Sequence, residues 1–413
     1  MRRLLACLLI LTLSVPATAC LWDYDTLQME RERFPGALEL IVGKFLRHSE
    51  PFYEWRIKDR RKAIGAHDLD IVKLTDEQLA RTYDDLAAAL DKLKRHDEAI
   101  AMIREKAERL PDVGRYETQA NLGTFLAHSG RLEEGVAELK KAIEINPDAH
   151  FGREKYQVAL IEYVIEHRGD AEKVTLPLEG SFAWWLLKRE GLGDGEGNVT
   201  DEKAARAELD RAAKGILGMM RFGDYRSPVL LEALGDVVRS GSGKNYFDGD
   251  GSQRIAARAY LRAADLVDDE QASAAYRKQA RGALADQLPD RDSGERAVAD
   301  GQELSLAHLE DQLAREVHEA DDWFERTIVY DEELWIERSP DPDAAFWNKY
   351  GGQEIRVGHD RMPAAKFAFK GLPFAAIVAL GFGLLATIGA VAALIVWRRK
   401  RPTGYNNEPT HTV

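Results

Sequence analysis

Two short stretches of the sequence carry side chains that could bind a phosphate or a metal ion. Residues 240–244 read Ser-Gly-Ser-Gly-Lys, like the end of a phosphate-binding loop, but Asn245 replaces the required Ser or Thr and no strand precedes it. In residues 248–252, oxygen-bearing side chains alternate with glycines, as the ligands of a calcium loop do. Gln253 stands where the EF-hand turn needs glycine, and Ala259 where it needs a bidentate glutamate. We interpret both stretches as solvated loop.

The remaining candidates for catalysis are weaker still. His308 and His318 lie among acidic residues. Because they are ten residues apart on a helix, they face different directions and cannot bind the same ion. The sequence has neither a zinc-protease motif nor a serine-hydrolase elbow. We therefore predict that the protein is not an enzyme and has no metal or cofactor site. The least favoured alternative is an enzyme that uses Asp23 or Asp25.

The N-terminus is typical of a secretory signal peptide. Two arginines precede an apolar run from Leu4 to about Val15, and an A-x-A cleavage site ends at Ala19. Cys20 follows directly. Because Ala17 stands where a lipobox has a large aliphatic residue, ordinary cleavage is favoured, and lipidation of Cys20 stays the alternative.

The C-terminal region predicts one transmembrane helix at residues 371–397. This stretch carries no charge, is longer than the ~20 residues that cross a bilayer, and ends in the basic run Arg398–Arg401. Basic residues stay on the cytoplasmic side, which predicts a short cytoplasmic tail and an extracytoplasmic, periplasmic body on the cell membrane. Small residues from Ala375 to Thr387 on one face allow a homodimer through this span.

Composition excludes some partners and constrains how the body is stabilised. The chain has 57 basic and 70 acidic residues and a net charge of −13, which argues against nucleic-acid binding. Its two cysteines are Cys7, within the signal peptide, and Cys20, so the mature chain can form no internal disulfide. We expect an exported body held by its apolar core, and the lack of disulfides favours a bacterial envelope.

The middle of the chain predicts paired amphipathic helices that repeat. Thr75 and Gln78 form a capping box that opens the first helix, and Pro111 and Pro147 each end a pair. These prolines are 36 residues apart, a spacing typical of stacked helical hairpins. The four predicted helices span about residues 75–93, 97–110, 116–129 and 132–145.

Both units resemble the tetratricopeptide repeat. The matching positions of the second unit are Leu122, Gly123, Leu126, Gly130, Gly135, Leu139, Ala142, Ile143 and Pro147. Those of the first are Tyr83, Leu86, Ala87, Leu90, Ala99, Ile103 and Pro111. Lys106 departs from the family's usual alanine. With its predicted signal and span, the chain looks like a membrane-anchored bacterial protein of this family.

The resemblance implies a concave peptide-binding groove lined by the first helix of each hairpin. The groove-facing positions are Arg81, Asp84, Asp91 and Lys92 in the first unit, and Glu117, Thr124 and His128 in the second. Such a mildly acidic groove would suit a peptide with Lys or Arg. The alternative is that the chain's own leader or C-terminal helix fills the groove.

The whole chain is predicted to be all-α, a tetratricopeptide-like hairpin solenoid with additional helices. In order, the segments are a signal peptide (1–19), a helical leader (20–73), the repeats (74–169), a helical region with a degenerate repeat (170–290), a long amphipathic helix (291–340), a juxtamembrane linker (341–370), the span (371–397) and the tail (398–413). The degenerate repeat rests on Leu234-Gly235 and Tyr260. The apolar stripe of the long helix, from Leu306 to Ile328, must cover either this body or a partner helix.

The favoured function is an anchored scaffold that docks another protein or peptide, and the mildly acidic groove favours a basic one. The alternative is an accessory subunit that presents substrate to a separate envelope enzyme or secretion complex. The aromatic residues of the leader, Phe52, Tyr53 and Trp55 among them, favour packing against the repeats over a ligand-gripping patch.

Overall fold

The computed structural model describes residues 36–147, 152–168, 174–240, 252–285, 306–353 and 355–357. Within these ranges every named element is a helix, and the one isolated β-bridge joins Gly193 and Val199. The all-α prediction is therefore confirmed for the described part of the chain. The chain divides into two units, 1–360 and 361–413, and all the described residues lie in the first.

The predicted signal peptide (1–19) and transmembrane helix (371–397) lie outside the described residues. Among the residues that the structure describes, no helix combines the length and the apolar character needed to cross a bilayer. The calcium-like loop at 248–252 also falls almost wholly outside them.

We number the helices in chain order. They are α1 (Ala37–Val42), α2 (Glu50–Asp68), α3 (Asp76–Lys92), α4 (His96–Arg109), α5 (Arg115–His128), α6 (Leu132–Ile145), α7 (Arg153–Arg168), α8 (Phe182–Arg189), α9 (Glu202–Phe222), α10 (Pro228–Ser240), α11 (Ser252–Leu266), α12 (Glu270–Ala285), α13 (Leu306–Trp323), α14 (Tyr330–Arg338) and α15 (Pro342–Tyr350). A π-helical segment, Phe324–Val329, joins α13 to α14.

Consecutive helices stack on one another along most of the chain. Each helix from α2 to α7 packs against the next, and the series continues from α7 to α9 and on to α12. The capping box at Thr75 is present, with the Gln78 side chain accepting from the Thr75 backbone N–H at 2.9 Å. A helix in such a stack must bury two faces, which explains why Ala87, Ala88 and Ala89 are all fully buried.

The hairpin of α5 and α6 depends on two glycines that let the helix backbones touch. A Cβ atom added to Gly123 would lie 2.9 Å from both the Gly135 carbonyl oxygen and the Leu139 backbone nitrogen. A Cβ added to Gly135 would lie 2.8 Å from the Gly123 carbonyl oxygen. No side chain larger than hydrogen fits at either position without separating the helices.

We expect Gly123→Ala to lower the free energy of unfolding by about 2 kcal/mol or more, because overpacking against fixed backbone atoms separates α5 from α6. Gly65→Ala is the matched control, since Gly65 lies in α2 and a Cβ there meets nothing within 4 Å. It should raise stability by about 0.5–1 kcal/mol through reduced chain entropy. Urea denaturation of both variants measures the difference, and equal effects would contradict the close-approach argument.

The C-terminal segment spanning α13, the π segment and α14 covers the protein's own body. It contacts α1, α11 and α12 through α13, and α2 through α14. Leu309, Leu313, Ala320 and Ile328 of the predicted apolar stripe are buried. Within the described residues this stripe packs in cis.

Buried charged groups hold the same segment in place. Glu316 accepts two hydrogen bonds of 3.2 Å from Arg258 of α11, and both side chains are at most 2 % exposed. Glu332 contacts His48 and accepts from the Ser49 backbone N–H at 2.8 Å. Acidic residues of the C-terminal segment thus pair with basic residues of the helices beneath it. These pairs fix the position of the segment along those helices.

In the second half of the stack, α10 and α11 pack against each other where the sequence predicts a degenerate repeat. A Cβ at Gly235 would lie 2.6 Å from the Tyr260 ring, so the glycine again permits close approach. Tyr260 donates to Asp236 at 2.6 Å, and Tyr276 of α12 donates to Glu232 at 2.7 Å. These buried hydrogen bonds link three successive helices in a part of the chain with few repeat-like residues.

Candidate functional site

The residues predicted to line the groove have different environments in the structure. Arg81 is exposed and Glu117 is half-buried, as a binding surface requires. Asp84, Asp91 and Thr124 are buried, each at most 5 % exposed. The buried three face neighbouring helices, so they do not belong to an open groove surface. Peptide binding by the exposed positions stays a prediction.

Asp84 is held by Lys106 from the second helix of the same hairpin. The Lys106 ammonium donates to its two carboxylate oxygens at 2.8 and 2.7 Å, and Asn121 Nδ2 donates at 3.1 Å. Burial raises the pKa of Asp84 to about 7, and Lys106 opposes the rise. Lys106, which departs from the family's alanine, is therefore the partner of a buried aspartate. Sequence reasoning treated the two positions separately and missed the pair.

The C-terminal ends of α3 and α5 are partly covered by the chain itself. Lys92 donates to the Gly223 carbonyl oxygen at 2.7 Å, in the turn after α9. Thr124 donates to the Ala120 carbonyl oxygen and accepts from Gln157 of α7 at 3.1 Å. At this end the turn after α9, which is neither the predicted leader nor the predicted C-terminal helix, covers Lys92.

Asp91 lies beside two histidines at this end. Burial alone would raise the pKa of Asp91, but the nearby His128 and His96 lower it below its usual value. Burial alone would lower the pKa of His128, whereas the Asp91 carboxylate raises it. His128 keeps 30 % of its side-chain surface exposed. The carboxylate is ionised and the cluster is accessible from solvent.

A pocket of about 410 Å³ opens between α2, α3 and the start of α15. Such a volume lies at the lower end of the ~300–1,000 Å³ typical of ligand pockets. Its lining is an aromatic ring, several carboxylates and one guanidinium: Trp55, Asp59, Arg60, Asp85, Pro340, Asp341, Asp343 and Ala344. The arrangement combines the two groups that attract a cation, an indole face and carboxylates.

Arg60 neutralises the inner part of this pocket. It donates to Asp85 at 3.0 Å, to Asp343 at 2.6 Å and to Asp59 at 2.5 Å, and Arg56 also pairs with Asp343. Burial alone would lower the pKa of Arg60, but the Asp85 and Asp343 carboxylates raise it, so the guanidinium stays charged. The inner aspartates therefore have cationic partners.

The rim of the pocket is more exposed and acidic. Asp59 keeps 42 % of its side-chain surface, and Asp341 is exposed while its carboxylate caps α15 through the Ala344 backbone N–H at 2.9 Å. Trp55 is half-buried at the same opening, whereas Phe52 and Tyr53 pack inward. Residues 341–370 were predicted to be a juxtamembrane linker, whereas the structure has α15 at Pro342–Tyr350, so sequence reasoning did not find this pocket.

The geometry of the α5–α6 hairpin agrees with the comparison to protein families. The model for the tetratricopeptide repeat matches residues 116–149, the second predicted unit. A tetratricopeptide repeat is therefore present in the chain, as predicted. No solved structure matches the chain.

Proposed function

We propose, from the tetratricopeptide repeat at residues 116–149, that this protein is a scaffold that docks another protein. We further propose that the pocket beside Trp55 receives a basic side chain of that partner. Repeats of this kind commonly bind other proteins, which supports the first part. The observation that carries the second part is the partly exposed carboxylate of Asp59, which also pairs with Arg60, and the exposed carboxylate of Asp341, both next to a half-buried indole.

The chemistry of the pocket favours a guanidinium or ammonium group over an anion or an apolar ligand. The four lining aspartates outnumber Arg60 and Arg56, so the opening carries net negative charge. A cation over the Trp55 ring would add a cation–π contact of about 0.5–1 kcal/mol. The protein's net charge of −13 would also speed the approach of a basic partner at low ionic strength.

We also propose that the scaffold is anchored to a membrane with its helical body outside the cytoplasm. The support is the uncharged stretch 371–397, the basic run after it and the signal-like N-terminus. Fractionation of cells that produce the full chain tests this. Recovery in the soluble fraction with the N-terminal residues intact would contradict it.

The pocket is tested with a labelled arginine-rich peptide as probe and the double variant Asp59→Asn, Asp341→Asn. Asparagine keeps the cap on α15, so the change removes charge with little effect on folding. In the unaltered protein each carboxylate would form a partly exposed ion pair with the peptide. Removing both should weaken peptide binding by about 5- to 30-fold, measured by fluorescence anisotropy. Trp55→Leu should also weaken it.

The matched control is Asp112→Asn, Asp311→Asn. Both aspartates are exposed and lie outside the pocket, so this variant has the same net charge as the pocket variant. It should bind the peptide like the unaltered protein. Equal affinity for all the variants would show that the peptide is not held at the pocket.

A further inference from the structure

An aspartate and two histidines meet where the end of α3, the start of α4 and the end of α5 lie together. His96 Nδ1 lies 2.7 Å from Asp91 Oδ1, and His128 Nδ1 lies 2.9 Å from Asp91 Oδ2. The potential ligand atoms of the three residues all lie within 4.8 Å of one another. Lys94 makes the turn possible with a φ of 60°, which reverses the chain so that His96 returns over Asp91.

The repeat does not require this cluster. With the spacing of 36 residues, the positions of Asp91 and His96 are occupied by Ala127 and Leu132 in the second unit. His128 correspondingly replaces Lys92 of the first unit. The second hairpin forms with Ala127 and Leu132 at the first two of these positions, without an aspartate or a second histidine. Helix packing therefore does not explain why they converge.

We propose that Asp91, His96 and His128 bind a divalent transition-metal ion, with Zn²⁺ as the first candidate. Imidazole nitrogens and a carboxylate oxygen are ligands that Zn²⁺ accepts at about 2.0–2.2 Å, and three protein ligands leave one position open. The present atoms are close enough that small side-chain movements admit an ion between them. The metal would then link the end of α3 to the start of α4 and to the end of α5.

Exposure and charge are consistent with this site. The Asp91 side chain is 3 % exposed, whereas His96 and His128 retain 24 % and 30 %, so the open position faces solvent. The ammonium of Lys92, the residue after Asp91, donates to the Gly223 carbonyl oxygen. A metal here joins the C-terminal ends of both first helices and offers its open position to water or to a donor atom of a partner.

The test is a calorimetric titration of the purified, EDTA-stripped full chain with ZnCl₂. We expect one equivalent to bind, and His96→Ala and His128→Ala each to weaken this binding by at least about 10-fold. Both histidines are partly exposed, so these variants should fold. Co²⁺ is a second probe, because tetrahedral coordination gives it visible absorption, which the two variants should lose.

His308→Ala is the control, since His308 is an exposed histidine on α13. It should leave the one-equivalent binding unchanged, as should the pocket variant Asp59→Asn, Asp341→Asn, which separates this site from the proposed partner pocket. No Zn²⁺ binding, or binding that His96→Ala and His128→Ala do not alter, would overturn the proposal.

Discussion

Replacing Lys106 with methionine should lower the free energy of unfolding by about 3–5 kcal/mol, because it leaves the buried Asp84 carboxylate without its charge partner. Lys106 is completely buried and Asp84 is 2 % exposed, so water cannot replace the lost ammonium. Methionine conserves most of the side-chain volume, which keeps cavity formation small. Urea denaturation measures this loss of stability from the shift in midpoint, provided that the dependence of the unfolding free energy on urea concentration is unchanged.

The second repeat shows how the same position is filled without charge. At the spacing of 36 residues, Asp84 and Lys106 correspond to Ala120 and Ala142, which pack with Tyr116 in a small apolar cluster. The first repeat has Ala80 in place of that tyrosine, and the Asp84–Lys106 ion pair in place of the two alanines. The pair is therefore a local alternative to aromatic packing.

Two further variants test this interpretation. Asp84→Leu combined with Lys106→Met should recover most of the stability, since an apolar pair of similar volume replaces both charges. Arg104→Met, at an exposed position of the same helix, should change stability by less than about 0.5 kcal/mol. A double variant as unstable as Lys106→Met alone would contradict the ion-pair explanation.

Replacing Glu316 with glutamine should lower the free energy of unfolding by about 3–5 kcal/mol and release the C-terminal segment from the helices that it covers. The buried Arg258 guanidinium would lose the carboxylate that balances its charge, at a site where both side chains are closed to solvent. Because α13 contacts α1, α11 and α12, its loosening should appear as faster hydrogen exchange at residues 306–338. Denaturation and exchange measured together test both parts.

Glu319→Gln is the matched control on the same helix. Glu319 pairs with Lys44, but its side chain is 38 % exposed, so solvent screens the pair and its loss should cost less than about 1 kcal/mol. Hydrogen exchange of the segment should stay unchanged in this variant. A similar loss from both substitutions would mean that burial is not what makes the Glu316 pair strong.

The sequence alone determined the repeat and its helices, but not α15, which lies in the predicted linker. The capping box at Thr75, the stop at Pro111 and the glycine contact at Gly123 were all readable, because each depends on residues within one or two turns or on one hairpin. The signal peptide and the span at 371–397 rest on equally local patterns and stay predictions.

The tertiary structure decided which of these surfaces meet. The resemblance to the tetratricopeptide repeat implied that Asp84 and Asp91 face the groove. Lys106, which pairs with Asp84, and the two histidines beside Asp91 come from other helices. The Trp55 pocket joins α2 to α15, with Arg60 and Asp343 lying 283 residues apart in the chain. A helical pattern reports which side of a helix is apolar, whereas a buried charge or a pocket depends on the partner that long-range packing brings to it.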